Sequence, residues 1–324
     1  MSARKVLITG ANGFIGRHLC RRLIESGKDV IACIREQSDE SPLADMGGHL
    51  KVHRMPSPDC KGDFSALFGK VDAVIHLAGR AHVMRDTSAD PMSEFRRVNV
   101  GGTESLALMS AKRGVRRFIY ISSIKVNGES THGTPFFADD PIGYCDAYGQ
   151  SKWEAEERVR QIAEEGGMEW VIVRPPLVYG PGVRGNFLGL LKAVGRHVPL
   201  PLGSLRNSRS LVSAFNLSDF LSLLLDHPAA ANNRFLVADR EDVSTPELIR
   251  RIAAALNCPP RLLPCPEALL QMAGTMLGKK AAVQRLVSSL VLDRQKVRDF
   301  VGWSAPTTLD WGLDRTAEWF LKMS

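Results

Sequence analysis

A short apolar run, Lys5–Thr9 (K-V-L-I-T), passes into Gly10-Ala11-Asn12-Gly13-Phe14-Ile15-Gly16. An amphipathic segment follows to about Ser26, with Gly27 as its stop. Strand, glycine turn and helix in that order constrain the fold more than any other feature of the chain. A partly β-branched run without polar alternation reads as a strand buried on both faces, which is the signature of a parallel sheet. Glycines between such a strand and a helix permit a tight turn, close helix–strand packing and backbone approach to a pyrophosphate, which would lie on the helix N-terminus. The spacing is G-x-x-G-x-x-G rather than the common G-x-G-x-x-G. A glycine-rich turn without a ligand is the plain alternative.

The pattern repeats along the first half of the chain. Asp29–Ile34 and Val71–Leu77 read as strands, with a helix-like turn at Phe64–Phe68 before the second of these. Glu94–Arg113 reads as a long helix containing Gly101-Gly102. Arg117–Ser122 reads as a strand, Ala147–Glu165 as a charged helix and Trp170–Arg174 as a further strand. Strands alternating with helices at this pace predict a doubly wound, Rossmann-type α/β sheet with right-handed crossovers. After Pro175 the texture changes. Pro175-Pro176, Gly180-Pro181-Gly182 and Pro199–Gly203 break the chain into shorter elements. These are a helix at Asn186–Val194, a strand at Ser210–Phe215, a helix at Leu217–Leu225, a strand at Arg234–Val237, and helices at Thr245–Leu256 and Asp310–Leu321. Pro246 suits a first helical position, with Ser244 or Thr245 as cap. The expected organisation is a dinucleotide-binding domain over residues 1–175 and a mainly substrate-binding, smaller α/β domain over 176–324, with some later strands returning to the first sheet.

Tyr148-Gly149-Gln150-Ser151-Lys152 carries the chemistry. A tyrosine four residues before a lysine puts both side chains on one helix face. An ammonium beside a phenol favours the phenolate, and a phenol of lowered pKa can exchange a proton with an alcohol or carbonyl oxygen. A serine of the doublet Ser122-Ser123, at the end of an earlier strand, could hold the same oxygen. On an ordinary solvated helix face the same spacing would mean nothing.

The net charge of +7 raises the question of nucleic acid, but the basic residues are scattered and form no tract, so no nucleic-acid partner is expected. A cleft for an anionic small molecule explains the excess as well. The six cysteines show no metal-ligand spacing; no metal and no disulfide is expected, and Cys20 and Cys33 read as buried thiols. No apolar run is long enough to span a bilayer, so no membrane insertion is expected, and a cytoplasmic location fits the cysteine usage. Arg35, after the second strand, suits the 2′-phosphate of NADP(H), whereas the neighbouring Glu36 could accept from a ribose hydroxyl of NAD(H).

Taken in order, Thr9–Gly16, His76-Leu77-Ala78-Gly79, Asn99–Thr103, Ser122-Ser123, Tyr148–Lys152 and Arg174-Pro175 resemble the extended short-chain dehydrogenase/reductases, the NAD-dependent epimerase/dehydratase group. The resemblance covers nearly the whole chain. It implies an NAD(P)(H) cofactor, with NADP(H) favoured by Arg35, and a UDP-sugar substrate; it also allows a homodimer. By the same resemblance Gly10, Gly13 and Gly16 cradle the pyrophosphate, with Phe14 and Ile15 beside it. Leu77, Ala78 and Gly79 line the adenosine and ribose side, and Asn99 lies near the active-site helix. Ser122 packs near the nicotinamide, and Pro175 and Leu177 flank it. Ser123 corresponds to the active-site serine, Tyr148 to the acid/base and Lys152 to the ribose-binding lysine. Asn186 and Arg209 correspond to residues that reach the substrate diphosphate, for which an arginine fork is suited.

Dehydratases of the group carry Asp-Glu after the active-site Ser/Thr. Here Ile124-Lys125 follows Ser123, which argues against dehydration. The adenine-contacting Gly-Asp of the group has only Asp59 as a counterpart. Arg80–Met84 and Ser122–Glu129 are similar to the group's bacterial UDP-2-acetamido-2,6-dideoxy-hexos-4-ulose reductases, which serve surface-polysaccharide synthesis. That similarity would put His82 and Lys125 near the sugar. The expected activity is therefore reduction at C4 of a UDP-linked hexose. A UDP-sugar 4-epimerase that retains NAD and a non-catalytic dinucleotide sensor are the alternatives.

Overall fold

The computed structural model describes residues 3–55, 71–80, 90–143, 146–278 and 280–323. Asp59, Cys60, the Phe64–Phe68 segment, His82 and Cys145 lie outside the described residues. Its centre is a seven-stranded, all-parallel sheet. In chain order its strands are β1 (Lys5–Thr9), β2 (Asp29–Arg35), β3 (Leu50–Met55), β4 (Ala73–His76), β5 (Arg117–Ile121), β6 (Glu169–Arg174) and β9 (Asn233–Leu236). The spatial order is β3-β2-β1-β4-β5-β6-β9, so the winding reverses between β1 and β4. Ligands of open α/β sheets bind at such a reversal, outside the carboxyl ends of the strands. Thr9 pairs with Cys33 on one side and His76 on the other, which places the glycine turn at that edge.

Period-two alternation divides the core. Val6, Ile8, Val30, Ala32 and Ile34 face one way, against α1 (Phe14–Glu25), α6 (Ala214–Leu224) and α10 (Gln295–Val301). Leu7, Cys33, Val74 and Tyr120 face the other, against α3 (Gly102–Lys112) and α4 (Ala147–Gly166). Each fully buried Leu, Ile or Val contributes roughly 1.5–3 kcal/mol, so both faces tie the strands to their helices. Cys20 and Cys33 are buried free thiols, as expected.

The second half adds a three-stranded sheet, β10 (Asp242–Val243), β8 (Arg209–Ser213) and β7 (Leu177–Tyr179). Its core takes in Tyr179 and Leu211 and the helices α5 (Gly185–Gly195), α7 (Thr245–Ala255) and α11 (Leu309–Met323). β9 comes from this half of the chain yet pairs in parallel with β6. Among the described residues no helix is long and apolar enough to cross a membrane.

Several boundaries differ from the sequence expectation for local reasons. The strand expected over Ser210–Phe215 ends at Ser213, whose hydroxyl accepts from the Asn216 N–H at 3.0 Å and so starts α6. Ser244, not Thr245, caps α7 by accepting from Glu247 N–H, and Pro246 takes the second helical position. The long helix expected over Glu94–Arg113 is α2 (Pro91–Phe95), a π-helical turn at Arg96–Gly101 and α3 in succession. The wide turn buries Asn99, and such turns recur at functional sites. β3, α8 (Glu267–Met276), α9 (Lys280–Val287) and α10 were not anticipated. β3 is an edge strand with exposed Lys51, Val52 and Arg54, and its polar face concealed it.

Candidate active site

A cavity of about 290 Å³ opens at the winding reversal. One wall is the glycine turn with Phe14 and Ile15; the opposite wall is Ser122, Ser123, Tyr148 and Lys152; Leu77, Gly79 and Pro175 complete it. The structure thus brings twelve of the sequence-derived positions to one cavity. Ile121, Arg80, Pro176 and Val178 also line it and were not singled out from the sequence. The alternation of an extended strand held the signal for two of them: if Pro176 faces the cavity so does Val178, and Leu177 between them faces away. Leu177 is exposed and off the cavity, which corrects its expected place.

The glycine wall suits an anion. Gly13 is the N-cap of α1 and offers no side chain to cap it, and the first turn holds no acidic residue. The N–H groups of a first helical turn have no intrahelical partner, and here they belong to the cavity-lining Phe14, Ile15 and Gly16. Gly10 has φ +67°, a left-handed conformation suited to glycine. Gly16 must lack a side chain, because a Cβ there would lie 2.2 Å from the Gly10 carbonyl oxygen and 2.7 Å from Ala11 backbone atoms. Gly16→Ala is therefore expected to push α1 off the turn. With strain of roughly 1–3 kcal/mol, dinucleotide affinity should weaken roughly ten- to hundredfold, measured by calorimetry with NADH and NADPH.

The opposite wall carries the proton chemistry. Ser123 lies two residues past the end of β5 and caps the 3-10 turn Ile124–Val126, its Oγ accepting from Lys125 N–H at 3.3 Å. Asp146 caps α4 by accepting from Gly149 N–H at 2.9 Å, which places Tyr148 in the first turn. The Ser123 and Tyr148 side chains share this wall, and the serine hydroxyl lies near enough to the phenol to favour its ionised form. Burial pushes the phenol up to about 12; the nearby Ser123 hydroxyl pulls it back, and the Asp146 charge adds to the rise. The expectation that Lys152 sets this phenol near neutrality is corrected. Lys152 Nζ donates to the Ile121 carbonyl at 2.6 Å and lies over the Tyr120 ring at 4.2 Å. Tyr120 in turn stacks on His76. Lys152 is buried, and desolvation lowers its ammonium to about 7 against the opposing pull of Glu156.

Other expected positions fall elsewhere. Asn99 is buried behind the cavity. Its amide donates to the Arg80 carbonyl and Ser151 Oγ and accepts from Arg80 N–H, so it holds the turn after β4 to α4. Ala78 hands its N–H to Thr9 Oγ1 at 3.2 Å and sits against Gly10. Arg35 is exposed at the end of β2, outside the cavity, and Asn186 is exposed in the first turn of α5. Arg209 donates to the carbonyls of Arg285 and Ser288 at 2.8 and 3.0 Å; burial lowers its pKa, and among the described residues no carboxylate pairs with it. Lys125, expected near the sugar, is engaged with Asp146 at 2.5 Å and Glu129 at 2.9 Å. Ser122 lines the cavity, and its Oγ is buried without a partner among the described residues. An orphaned hydroxyl and an uncapped helix start on facing walls fit a dinucleotide. No cluster of metal-ligating side chains occurs among the described residues.

Residues 6–238 match the NAD dependent epimerase/dehydratase family. A UDP-glucose 4-epimerase of Vibrio cholerae is 41% identical over 98% of this chain and 96% of its own length. An N-acetyl-alpha-D-glucosaminyl-diphospho-ditrans,octacis-undecaprenol 4-epimerase of Escherichia coli O157:H7 is 30% identical over 97% of this chain and 94% of its own. Among solved structures, a UDP-glucuronic acid 4-epimerase from Bacillus cereus in complex with NAD superposes with a TM-score of 0.80 at 19% identity, over 98% and 99% of the two chains. That likeness concerns the fold.

Proposed function

Since the chain belongs to the NAD-dependent epimerase/dehydratase family, we propose that it exchanges a hydride and a proton at C4 of a UDP-linked hexose, reducing the 4-keto group of a 2-acetamido-2,6-dideoxy sugar. The observation that carries the reading is that Ser123 and Tyr148 line one cavity wall facing the glycine turn, with the serine hydroxyl near enough to act on the phenol. A bound nicotinamide dinucleotide supplies the hydride. Gly10, Gly13, Phe14, Ile15 and Gly16 hold its pyrophosphate through backbone N–H groups, and Ser122 and Lys152 face its nicotinamide end. Ser123 holds the sugar oxygen, and Tyr148 gives it the proton as charge develops there. Lys152, charged below about pH 7 in this structure, adds a cation to the wall behind Tyr148. Arg209, a half-buried guanidinium that pairs with no carboxylate among the described residues, takes the sugar diphosphate. Residues 1–175 then serve mainly the cofactor and 176–324 mainly the sugar nucleotide.

The similarity of Ser122–Glu129 to the 4-ulose reductases supports reduction. Two full-length relatives, at 41% and 30% identity, are 4-epimerases, which supports the second reading, UDP-sugar 4-epimerisation by the same residues with the hydride returned to the other face. Dehydration lacks support, because Ile124 is buried and Lys125 is held by two carboxylates where an acid/base pair would be needed. Arg35 supports NADPH over NADH. The purified protein should be incubated with UDP-GlcNAc and, separately, with its 4-keto-6-deoxy derivative, each with NADH or NADPH, and products followed by mass and NMR. Cofactor oxidation with the keto sugar alone supports the reductase. Mass-neutral conversion of UDP-GlcNAc without added reductant supports the epimerase. Turnover of neither sugar overturns both readings, and faster reduction with NADH overturns the role given to Arg35.

A further inference from the structure

Lys125 bonds Ser123 and the residue that caps the Tyr148-bearing helix, without lining the cavity. Its backbone N–H donates to Ser123 Oγ at 3.3 Å, inside the 3-10 turn that follows the serine. Its ammonium donates to Asp146 Oδ2 at 2.5 Å, and the other oxygen of Asp146 caps α4, whose first turn holds Tyr148. Glu129 Oε1 holds the ammonium from the other side at 2.9 Å. The side chain is only 20% exposed, so this bridge is sheltered from solvent screening more than an ordinary surface pair.

We propose that Lys125 is a positioning residue: a strut that ties the Ser123 turn to the capped start of the Tyr148 helix, and so keeps the two hydroxyls on one substrate oxygen. The ammonium is committed to two carboxylates, which is why it is not assigned to the sugar. The strut has an electrostatic consequence as well. The charge of Asp146 opposes ionisation of Tyr148, and Lys125 sits on that carboxylate as its counter-ion. The other polar or titratable groups around the phenol are Ser123 from the 3-10 turn, Lys152 and Glu156 from α4, Tyr120 from β5 and Arg80 across the cavity. Beside these, Asp146 is the anion that directly raises the phenol, and Lys125 is a cation paired with it.

The inference rests on the proton-donor reading of Tyr148, and its test separates the two. The full chain labelled with ¹³Cζ-tyrosine contains four tyrosines, so Tyr148→Phe identifies the Tyr148 resonance, which is followed from about pH 8 to about pH 11.5. In Lys125→Met, Asp146 loses its counter-ion and the onset of the Tyr148 titration should move up by about one pH unit; Lys125→Arg should restore it. With the 4-keto-6-deoxy sugar and NADPH, the methionine variant should lower kcat roughly ten- to hundredfold at unchanged cofactor KM, and its alkaline limb should move upward. A Lys125→Met titration that overlays the wild type overturns the proposal, as does a raised sugar KM at unchanged kcat, which would mark a sugar contact instead. Normal turnover by Tyr148→Phe would sink the proton-donor reading and leave the titration result standing on its own.

Discussion

Tyr148→Phe is expected to lower kcat for the 4-keto sugar by roughly 10²–10⁴-fold, the usual scale for a lost general acid, while NAD(P)H affinity stays within about threefold of wild type. The substitution removes one oxygen and leaves the ring, which packs against Phe95 at a centroid distance of 5.9 Å, in place. Asp146 still caps the helix and Lys152 still donates to Ile121, so the cofactor wall is unchanged. A fall in kcat at constant cofactor binding therefore isolates the proton transfer. Because burial holds the phenol near 12 in this structure, Tyr148 stays protonated across the physiological range and is set to donate. Reduction should then persist well above neutral pH. Near-normal turnover by the phenylalanine variant, measured by NAD(P)H absorbance, would falsify the assignment.

The second large effect concerns what stands behind the site. Glu156 is fully buried one turn beyond Lys152, and Arg174 at the end of β6 is 3% exposed. Arg174 donates to both carboxylate oxygens of Glu156, at 2.9 and 2.6 Å, and to Asn127 Oδ1 at 2.9 Å. The pair thus joins α4, β6 and the turn after Ser123. Removing one partner of a buried ion pair leaves the other charged and unsolvated, at a cost of roughly 3–5 kcal/mol. Glu156→Gln is expected to lose stability on that scale, with Tm down by several degrees in calorimetry. Arg234, 3.7 Å from Glu156, is a second cation and loses the same carboxylate, so it does not compensate. Replacing Glu156 and Arg174 together by methionine should recover most of the loss, since apolar residues of similar volume can substitute for a buried pair. A single variant as stable as wild type would show that the pair is solvated in solution. Glu156→Gln should also lower the Lys152 pKa further, because Glu156 is the group that holds its ammonium up against burial.

Much of the site was legible in the sequence because short-range geometry decides it. A glycine turn after an apolar strand, a serine at a strand end and a tyrosine one helical turn before a lysine place those groups through the backbone alone. The outcome was different wherever a side chain chooses among distant partners. Lys125 is two residues from Ser123, and sequence proximity suggested a sugar contact. Its ammonium instead reaches Asp146, 21 residues away. Asn99 is spent on Arg80 and Ser151, 19 and 52 residues away. Lys152 turned to the Ile121 carbonyl and the Tyr120 ring, so the phenol is governed by burial and by Ser123 rather than by the ammonium.

By itself the sequence determined the parallel α/β architecture, the glycine turn after its first strand and the identity of the groups that can move a proton. Period-two and period-3.6 burial patterns are local and survive without knowledge of any partner strand. The tertiary structure decided which of those groups share a cavity, which are held behind it and how burial sets their proton affinities. Those properties depend on desolvation and on partners brought together across the sheet, and no local spacing encodes either.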